Sequence, residues 1–460
     1  MKQILLSLFV FSFALPCAAD NPPAGKVPAP EMVAMAKAHS PKLRASIEYC
    51  FGAQSLKDGT AWVGEGPEFF FAVEAATAPS LVIDEGAPRP MQPVPAAASG
   101  SASDPLLWYA IAHVEPVARL HQFYFTVNGV KLGEHPNLPV FGPLSYRLPG
   151  VPTGKLSETI VHTSKIYDGM KSNYWIYVPA QYDPKIPAAV MVFQDGGDYL
   201  SRQGNNNTLN VIDNLIVQKK IPVMICVFID PGDITGSPGT PTYAFVKGHA
   251  DRWGDHTLKD AMRSTLYDTV SDRYARFLRD EVLVEVGAKY NLRQDAYSHA
   301  ITGASSGGIC SFNAAWQLPD SFSRVLALVP AFASRQWKEN PAVPDGGQDY
   351  PDKILRGPKR NLRIWLRDAS DDLENEHWGS LPLNNIRVAN ALKAKDYDFH
   401  FSFGKGVHSW AQGAAEFPKE MMWLWRGYDP ARTSDEFKPD PEEKSKPLFR
   451  VAIINRDSDE

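Results

Sequence analysis

One short stretch, residues 300–310, constrains the fold of this chain more than any other. It reads Ala-Ile-Thr-Gly-Ala-Ser-Ser-Gly-Gly-Ile-Cys, so that Gly-x-Ser-x-Gly lies between an apolar strand and an apolar helix. Glycine at positions 303 and 307 lets the helix pack closely on the strand, and Ser305 between them must adopt a strained backbone conformation. The amides at the start of the helix favour an anion above the serine. The stretch therefore predicts a strand, a sharp turn with Ser305 at its tip, and a helix.

Strand and helix patterns alternate on both sides of that turn, from about residue 151 to residue 430. Two strands are predicted within 157–177. Further strands are predicted at 188–193, 222–229, 300–302, 325–329, 363–366 and 398–403, and helices at 210–218, 269–288, 306–316, 385–395 and 414–425. Such alternation is typical of a mostly parallel sheet with helices on both faces. A serine turn of this kind inside that sheet indicates the α/β-hydrolase fold for residues 151–430.

The preceding segment, residues 20–150, has a different pattern. After a short helix near Met32–His39, short aromatic and β-branched runs extend from about residue 49 to residue 148 without helices between them. The turn residues between the runs include the hairpin dipeptide Asn128-Gly129. Strands at this spacing predict an N-terminal β-sandwich. The clearest runs are at 68–73, 80–83, 107–111 and 122–127.

Two further segments have no regular apolar pattern. Pro88–Ser103 is rich in proline, alanine and serine, and we expect a loop with no core to join. Residues 431–460 are charged and contain proline, which predicts a C-terminal tail in which Leu448–Ile454 could add an edge strand.

Residues 1–19 have the pattern of a signal peptide, with Lys2 before a short apolar run and small residues before a cleavage site near Ala19. The apolar run is too short to span a bilayer, and no later stretch is long enough. We therefore expect a periplasmic or secreted protein with no membrane span. The formal net charge is -5 and no basic run is present, which argues against a nucleic-acid partner. A homodimer is left open.

The candidate chemistry starts from the serine. A serine hydroxyl becomes a good nucleophile when a base takes its proton and a carboxylate orients that base. In this fold the acid and the histidine follow the serine, on loops after late strands. His408 lies directly after the predicted strand at 398–403, in a loop with glycines, and His377 is the only rival by position. His408 is therefore the predicted base.

The candidates for the acid lie in the turn after the strand predicted at 363–366, where several acidic residues lie between positions 368 and 376. The first of them is Asp368 and the last is Glu376. A cluster of charged residues usually marks a solvated turn, so the cluster alone does not identify the catalytic acid. The distance of each acidic residue from the end of the strand is used to choose among them. Position favours Asp372, with Asp371 as the next candidate.

An acyl-transfer site also needs two backbone amides aimed at the developing oxyanion. The amide of Ser306, directly after the nucleophile, is predicted to be one of them. The other is expected in the loop after the strand at 188–193, where Gly196 and Gly197 let the backbone approach a substrate closely. The sequence does not separate these two glycines.

No metal or cofactor is expected. One cluster of metal-ligating residue types lies within 247–258, but its spacing is not that of a zinc-binding helix, and a polar insertion is the better interpretation. The cluster consists of His249, Asp251, Asp255 and His256.

With these residues assembled, the chain resembles the enterochelin esterase-like family, whose relatives include bacterial feruloyl and acetyl-xylan esterases and esterase D. The resemblance spans about residues 153–425. Its motifs are Tyr-Trp-Ile-Tyr-Val-Pro at 174–179, Phe-Gln-Asp-Gly-Gly at 193–197, Val-Ile-Asp-Asn-Leu-Ile at 211–216, Tyr-Asp-Thr-Val-Ser-Asp-Arg-Tyr at 267–274, the serine turn at 303–308, Gly-Gly-Gln-Asp-Tyr-Pro at 346–351 and the histidine loop.

In that family the acid lies in a turn similar to Gly-x-x-Asp-Leu, which corresponds to residues 369–373 and implies Asp372. Two positions depart from the family pattern, because Ala369 replaces the glycine and Leu266 replaces an acidic residue. The N-terminal segment resembles the immunoglobulin-like or glycogen-binding-like sandwich that is often fused to such esterases.

The resemblance and the residues together imply an exported serine esterase that cleaves carboxylic esters through an acyl-Ser305 intermediate. Two classes of small-molecule or carbohydrate substrate fit: catecholate siderophore lactones and acyl groups on plant polysaccharides. One alternative is an acyltransferase, as in mycolyltransferase-like relatives, in which a sugar hydroxyl takes the place of water. A second is a carbohydrate-binding protein with a vestigial site, against which the intact serine, histidine and aspartate argue.

Overall fold

A computed structural model describes residues 27–95, 106–133, 137–203, 206–232, 258–333, 346–375 and 379–450 of the 460-residue chain. The predicted signal peptide at 1–19 lies outside these residues. The N-terminal region contains, in chain order, α1 Ala29–Lys37, α2 Leu43–Asp58, β1 Ala61–Glu65, β2 Glu68–Glu74, β3 Ser80–Ile83, β4 Arg89–Pro90, β5 Gln92–Pro93, β6 Leu107–His113, β7 Arg119–Val127, β8 Val130–Leu132 and β9 Asn137–Val140.

These strands form antiparallel sheets. The first sheet has the order β1-β2-β6-β5, and the second has the order β4-β3-β7-β8 with β9 also paired to β7. The β7–β8 hairpin turns at Asn128 and Gly129, whose φ angles of 50° and 81° are the positive values that a tight hairpin turn needs. The predicted strands and hairpin are confirmed, whereas the immunoglobulin-like assignment stays a prediction.

The first sheet is buried on both faces. Phe70 and Ala72 of β2 pack against α1 and α2, while Phe71 of the same strand faces the second sheet, where its ring lies 5.0 Å from that of Phe123. Every residue from Phe69 to Val73 is consequently buried, and the strand is apolar throughout instead of alternating.

Two expectations for this region are wrong. The β pattern was expected to begin near residue 49, but residues 43–58 are helical, and Leu43, Ile47, Cys50 and Phe51 are buried at the i, i+4, i+7 and i+8 positions of a helix face. Within Pro88–Ser103, the described part joins the core, because Met91 and Val94 are buried. Apolar side chains between prolines are sufficient to anchor a segment that composition alone marks as a loop.

The rest of the chain contains β10 Lys155–Leu156, β11 Ile160–Thr163, β12 Lys171–Val178, β13 Ala189–Gln194, α3 Thr208–Val217, β14 Met224–Ile229, α4 Leu258–Tyr267, α5 Arg273–Arg276, α6 Leu283–Gly287, β15 His299–Ala304, α7 Ser306–Gln317, β16 Arg324–Leu328, α8 Tyr350–Arg356, β17 Arg363–Asp371, β18 Glu374–Asn375, β19 Gly379–Ser380, α9 Leu381–Ala394, β20 Asp398–Val407, α10 Ala411–Leu424 and α11 Pro441–Ser445. A π-helical turn, Phe277–Val282, joins α5 to α6.

One large sheet organises this region, with the strand order β10-β12-β14-β13-β15-β16-β17-β20 and β11 paired to β12. Six neighbouring strands of this sheet are parallel: β14, β13, β15, β16, β17 and β20. Strand β12 runs antiparallel to β14. Successive side chains point to opposite faces: Val190 and Val192 of β13 join one apolar core, and Met191 and Phe193 join the other. The predicted parallel sheet covered on both faces is confirmed, and the fold is of the α/β-hydrolase type.

Several boundaries differ from those predicted. The helix expected at 269–288 begins at Arg273, and helices α4 and α8 were not predicted. Strands β17 and β20 run farther than their apolar cores, to Asp371 and Val407, which still pair with each other. This extension matters because the candidate acid and base directly follow these two strand ends.

The C-terminal segment is more than a charged tail. Among its described residues, Phe437 and Glu443 are buried, and the side chain of Asn361 donates a hydrogen bond to the carbonyl of Asp435. Most of the candidate edge strand at 448–454 lies outside the described residues. Over the ranges that the structure describes, no helix is both long and apolar enough to cross a membrane.

Candidate active site

Ser305 lies in the sharp turn between β15 and α7. Its φ and ψ angles are 57° and -123°, an unfavourable conformation for a residue with a side chain, which costs about 1–3 kcal/mol. The surrounding backbone holds it there: the Ser305 amide donates to the carbonyl of Leu328 at 2.9 Å, and its carbonyl accepts from the amide of Ala331 at 3.0 Å. At Gly303 a Cβ would lie 2.6 Å from the carbonyl oxygen of Gly307, so no side chain fits between strand and helix.

His408 directly follows β20 and reaches across to the serine. Its Nε2 is 2.9 Å from Ser305 Oγ, and its Nδ1 is 2.6 Å from Asp372 Oδ1. With a proton on Nδ1 donated to the carboxylate, Nε2 is the unprotonated nitrogen and can accept the hydroxyl proton of Ser305. The rival histidine, His377, lies outside the described residues.

Asp372 lies in the turn after β17. It is buried, and its Oδ1 also accepts a hydrogen bond from the amide of Leu373. Burial raises the pKa of Asp372 above its usual value, and a side-chain hydrogen bond with Asp368 opposes this shift most. The Leu373 amide and the charge of Arg367 oppose it further. The neighbouring candidate, Asp371, is exposed at the end of β17. Of the two acids that the sequence left open, Asp372 is the one in contact with His408.

The loop after β13 is fixed against the serine turn by an ion pair. Arg263 of α4 donates two hydrogen bonds of 2.7 Å to the two carboxylate oxygens of Asp195, and the Asp195 amide donates to Tyr267 Oη at 3.2 Å. A Cβ at Gly307 would lie 3.0 Å from Asp195 Oδ2, so the pair packs directly on the serine turn. Sequence reasoning did not identify Asp195 or Arg263, although Asp195 lies within the motif at 193–197 that carried the family resemblance.

The two glycines predicted as oxyanion donors have different surroundings. The amide of Gly197 donates to Asp230 Oδ1 at 2.8 Å, a contact that no local sequence signal indicates. Gly196 packs so tightly on β14 that a Cβ there would lie 2.2 Å from the amide nitrogen of Ile229. Ser306 is the first residue of α7, where an amide has no acceptor within its own helix.

Metal binding has no candidate in the part of the chain that is described, where no group of three or more His, Cys, Asp or Glu side chains could hold an ion. The cluster at 249–256 lies outside the described residues. The site itself contains a hydroxyl, an imidazole and a carboxylate in a hydrogen-bonded row, beside two loops that carry backbone amides. That arrangement is suited to acyl transfer from an ester or related carbonyl compound.

Comparison with known proteins places the chain in a class. The model of the putative esterase family matches residues 168–424, which is more than half of the chain. The chain therefore belongs to the putative esterase family, and its class is that of carboxylic ester hydrolases. None of the curated protein sequences compared with it matches.

Solved structures are similar at low sequence identity. An enterobactin esterase from Shigella flexneri, crystallised in the presence of 2,3-di-hydroxy-N-benzoyl-serine, is 15% identical with a TM-score of 0.50, covering 81% of this chain and 97% of that chain. A ferric enterobactin esterase from Salmonella typhimurium is 14% identical with a TM-score of 0.49, covering 80% and 97%. A ferulic acid esterase from the anaerobic fungus Anaeromyces mucronatus is 16% identical with a TM-score of 0.45, covering 62% and 95%.

Proposed function

We propose that this chain is an exported serine esterase that hydrolyses carboxylic esters through an acyl-Ser305 intermediate. The observation that carries the proposal is the row of hydrogen bonds from Ser305 Oγ to His408 Nε2, at 2.9 Å, and from His408 Nδ1 to Asp372 Oδ1, at 2.6 Å. Each distance is within the range of a direct hydrogen bond, so a proton can pass from hydroxyl to imidazole without any movement of the backbone.

In the first half of the reaction His408 takes the hydroxyl proton while Ser305 Oγ attacks the ester carbonyl. The charge that forms on the carbonyl oxygen is stabilised by the Ser306 amide and by a second amide from the loop after β13. Gly196 is favoured as that second donor, because the Gly197 amide is already held by the Asp230 carboxylate. Asp372 stabilises the imidazolium, which then gives its proton to the leaving alcohol.

In the second half, water attacks the acyl-serine with His408 again acting as the base, and Ser305 is regenerated. The substrate class is proposed as a catecholate siderophore lactone or an acyl ester on a carbohydrate. Export is part of the proposal and rests on the signal-peptide pattern of residues 1–19.

The test is hydrolysis by purified wild type and Ser305→Ala of p-nitrophenyl acetate and butyrate, methyl ferulate, acetylated xylan and a ferric catecholate trilactone. We expect Ser305→Ala to lower kcat by about a millionfold, to near the detection limit. Ser445→Ala, at an exposed serine of α11, is the matched control and should match wild type. Full turnover by Ser305→Ala would overturn the proposal, and release of product only when a sugar acceptor is added would identify acyl transfer.

A further inference from the structure

A second carboxyl group lies directly behind the candidate acid. Asp368 belongs to the buried part of β17, and its side chain is fully buried. The pairing of β17 with β20 shifts register between Ala369 and Asp371, and the amide of Asp372 turns back to the carbonyl of Ala369 at 3.3 Å. This turn brings the Asp372 side chain back onto Asp368, and the two carboxyl groups are within hydrogen-bonding contact.

The four carboxyl oxygens of this pair divide into two kinds. Asp372 Oδ1 accepts from His408 and from the Leu373 amide, and Asp368 Oδ2 accepts from Asn385 Nδ2 of α9 at 2.7 Å. Asp372 Oδ2 and Asp368 Oδ1 are buried, and no N–H or O–H group among the described residues donates to either. Buried polar atoms rarely lack a partner, so these two oxygens need an explanation.

One shared proton supplies that explanation. Two ionised carboxylates in contact inside a protein repel each other strongly, whereas a carboxylic acid beside a carboxylate gives both inner oxygens a hydrogen-bond partner. The proton belongs on Asp368, because Asp372 faces the His408 imidazole, the Leu373 amide and the charge of Arg367, all of which favour its ionised form.

The surroundings of Asp368 favour its neutral form. Burial and then the neighbouring Asp372 carboxylate raise the pKa of Asp368 well above its usual value, and the Asn385 amide opposes them only in part. The groups in contact with the pair are Asn385 from α9, His408 from the loop after β20 and the backbone amides of Ala369 and Leu373. Arg367 of β17 acts on Asp372 through its charge.

We propose that Asp368 is a positioning residue of the active site, a neutral carboxylic acid that donates a hydrogen bond to Asp372 Oδ2. This inference rests on the proposed function of Ser305, His408 and Asp372. The hydrogen bond holds the Asp372 carboxylate with Oδ1 toward His408, and it keeps the second oxygen from competing for the imidazole proton. Asn385 in turn fixes the Asp368 carboxyl through its other oxygen.

Two substitutions at Asp368 separate this role from simple packing. In Asp368→Asn the amide can still donate to Asp372 and accept from Asn385, and it stays neutral at every pH. In Asp368→Ala the donor is lost and Asp372 Oδ2 remains buried without a partner. We expect Asp368→Ala to lower kcat by about tenfold to a hundredfold, the rate equivalent of one buried hydrogen bond, with a much smaller change in KM. Asp368→Asn should stay within about threefold of wild type at pH 7, because a neutral donor is retained.

Two further readouts report on the proton itself. The ratio of kcat for Asp368→Asn to kcat for wild type should rise from pH 7 to pH 10, because only wild type can lose the proton from residue 368. An infrared difference spectrum of wild type minus Asp368→Asn should contain the C=O stretching band of a protonated carboxyl group at neutral pH.

The inference is overturned if folded Asp368→Ala keeps the wild-type kcat, if folded Asp368→Asn is as impaired as Asp368→Ala, or if the infrared band is missing. Circular dichroism establishes folding; should Asp368→Ala fail to fold, the infrared comparison with Asp368→Asn decides. Ser305→Ala is assayed in parallel. If Ser305→Ala is inactive and Asp368→Ala keeps the wild-type kcat, only the positioning role of Asp368 is rejected. If Ser305→Ala is active, the proposed function on which this inference rests is rejected.

Discussion

The N-terminal region and the large parallel sheet stabilise themselves in different ways. Among the described residues between 27 and 150, no aspartate or glutamate is buried, and two basic side chains, Arg44 and His121, are buried. The parallel sheet instead buries acids and bases, among them Asp368, Asp372 and Glu420. Burying an ionisable group costs free energy that apolar packing does not, so a region that retains buried ionisable groups is expected to use them.

The two regions meet at the end of β20 and in the loop after it, which carries His408. Asn137 of β9 is buried and donates a hydrogen bond to Ser409 Oγ at 3.4 Å, and Lys405 pairs with Glu85 of the N-terminal region at 2.8 Å. A Cβ at Gly406 would lie 3.2 Å from a methyl group of Leu120 in β7. The N-terminal region therefore contacts the segment that carries the His408 imidazole.

Among the effects that test this comparison of the two regions, the largest is expected in the parallel sheet. Asp372→Asn should lower kcat by about ten-thousandfold, because the amide no longer holds His408 in the required tautomer. Asp371→Asn, at the exposed neighbour, is the matched control and should remain within about twofold, as expected for an exposed surface side chain. Steady-state kinetics on a p-nitrophenyl ester measure kcat for both variants. Equal losses of kcat in Asp372→Asn and Asp371→Asn would contradict the assignment of Asp372 as the acid.

The next effect tests the apolar character of the N-terminal region. Phe71→Ala removes a fully buried ring between the two sheets and should lower the free energy of unfolding by about 3–5 kcal/mol. Val130→Ala, at a position that is 69% exposed, should change it by less than about 0.5 kcal/mol. Denaturant unfolding measures both. An unchanged free energy of unfolding in Phe71→Ala would contradict the conclusion that apolar packing stabilises the N-terminal region.

A pH effect on stability is expected from the parallel sheet. His400 is buried with its ring centroid 4.1 Å from that of Trp365, and burial lowers its pKa from 6.5 to about 4. The unfolded chain therefore binds a proton that the folded state does not, and stability is lost as pH falls from 6.5 through 4. The Glu443 carboxylate, 3.1 Å from His400 Nδ1, keeps this loss below about 3 kcal/mol. His400→Phe should flatten this part of the plot of unfolding free energy against pH. Superimposable profiles for the two proteins would count against the shifted histidine.

The smallest expected effect is at the junction of the two regions. Asn137→Ala should lower kcat by about twofold to tenfold, since it removes one hydrogen bond that supports the His408 loop. Lys405→Ala breaks only an exposed ion pair and should leave kcat within about twofold. If kcat of Asn137→Ala equals that of wild type, the N-terminal region does not support the imidazole.

Part of the candidate site was predictable because it depends on residues that are close together in the sequence. The serine turn needs glycine at fixed offsets, so the position of Ser305 follows from a motif of five residues. His408 was identified because few histidines follow the penultimate strand of the predicted sheet. Helix α2 was missed although its apolar side chains have helical spacing, because the aromatic strands that follow dominate the pattern of that segment.

The remaining features depend on contacts between distant parts of the chain. Asp371 and Asp372 are adjacent in sequence, and which of them faces His408 is set by the register of β17 against β20. The Asp230 contact with Gly197 joins residues from different loops. The pairing of Asp368 with Asp372 requires the turn after β17 to fold back, which no local propensity specifies.

The sequence by itself determined the type of fold and the chemical groups available, because backbone strain, apolar periodicity and glycine spacing are properties of neighbouring residues. Only the tertiary structure decided which carboxylate contacts the His408 imidazole, which glycine amide already donates to a carboxylate, and which second acid lies beside Asp372. Those choices are set by burial and by hydrogen bonds across the sheet, and burial is a property of the whole fold that a linear pattern does not contain.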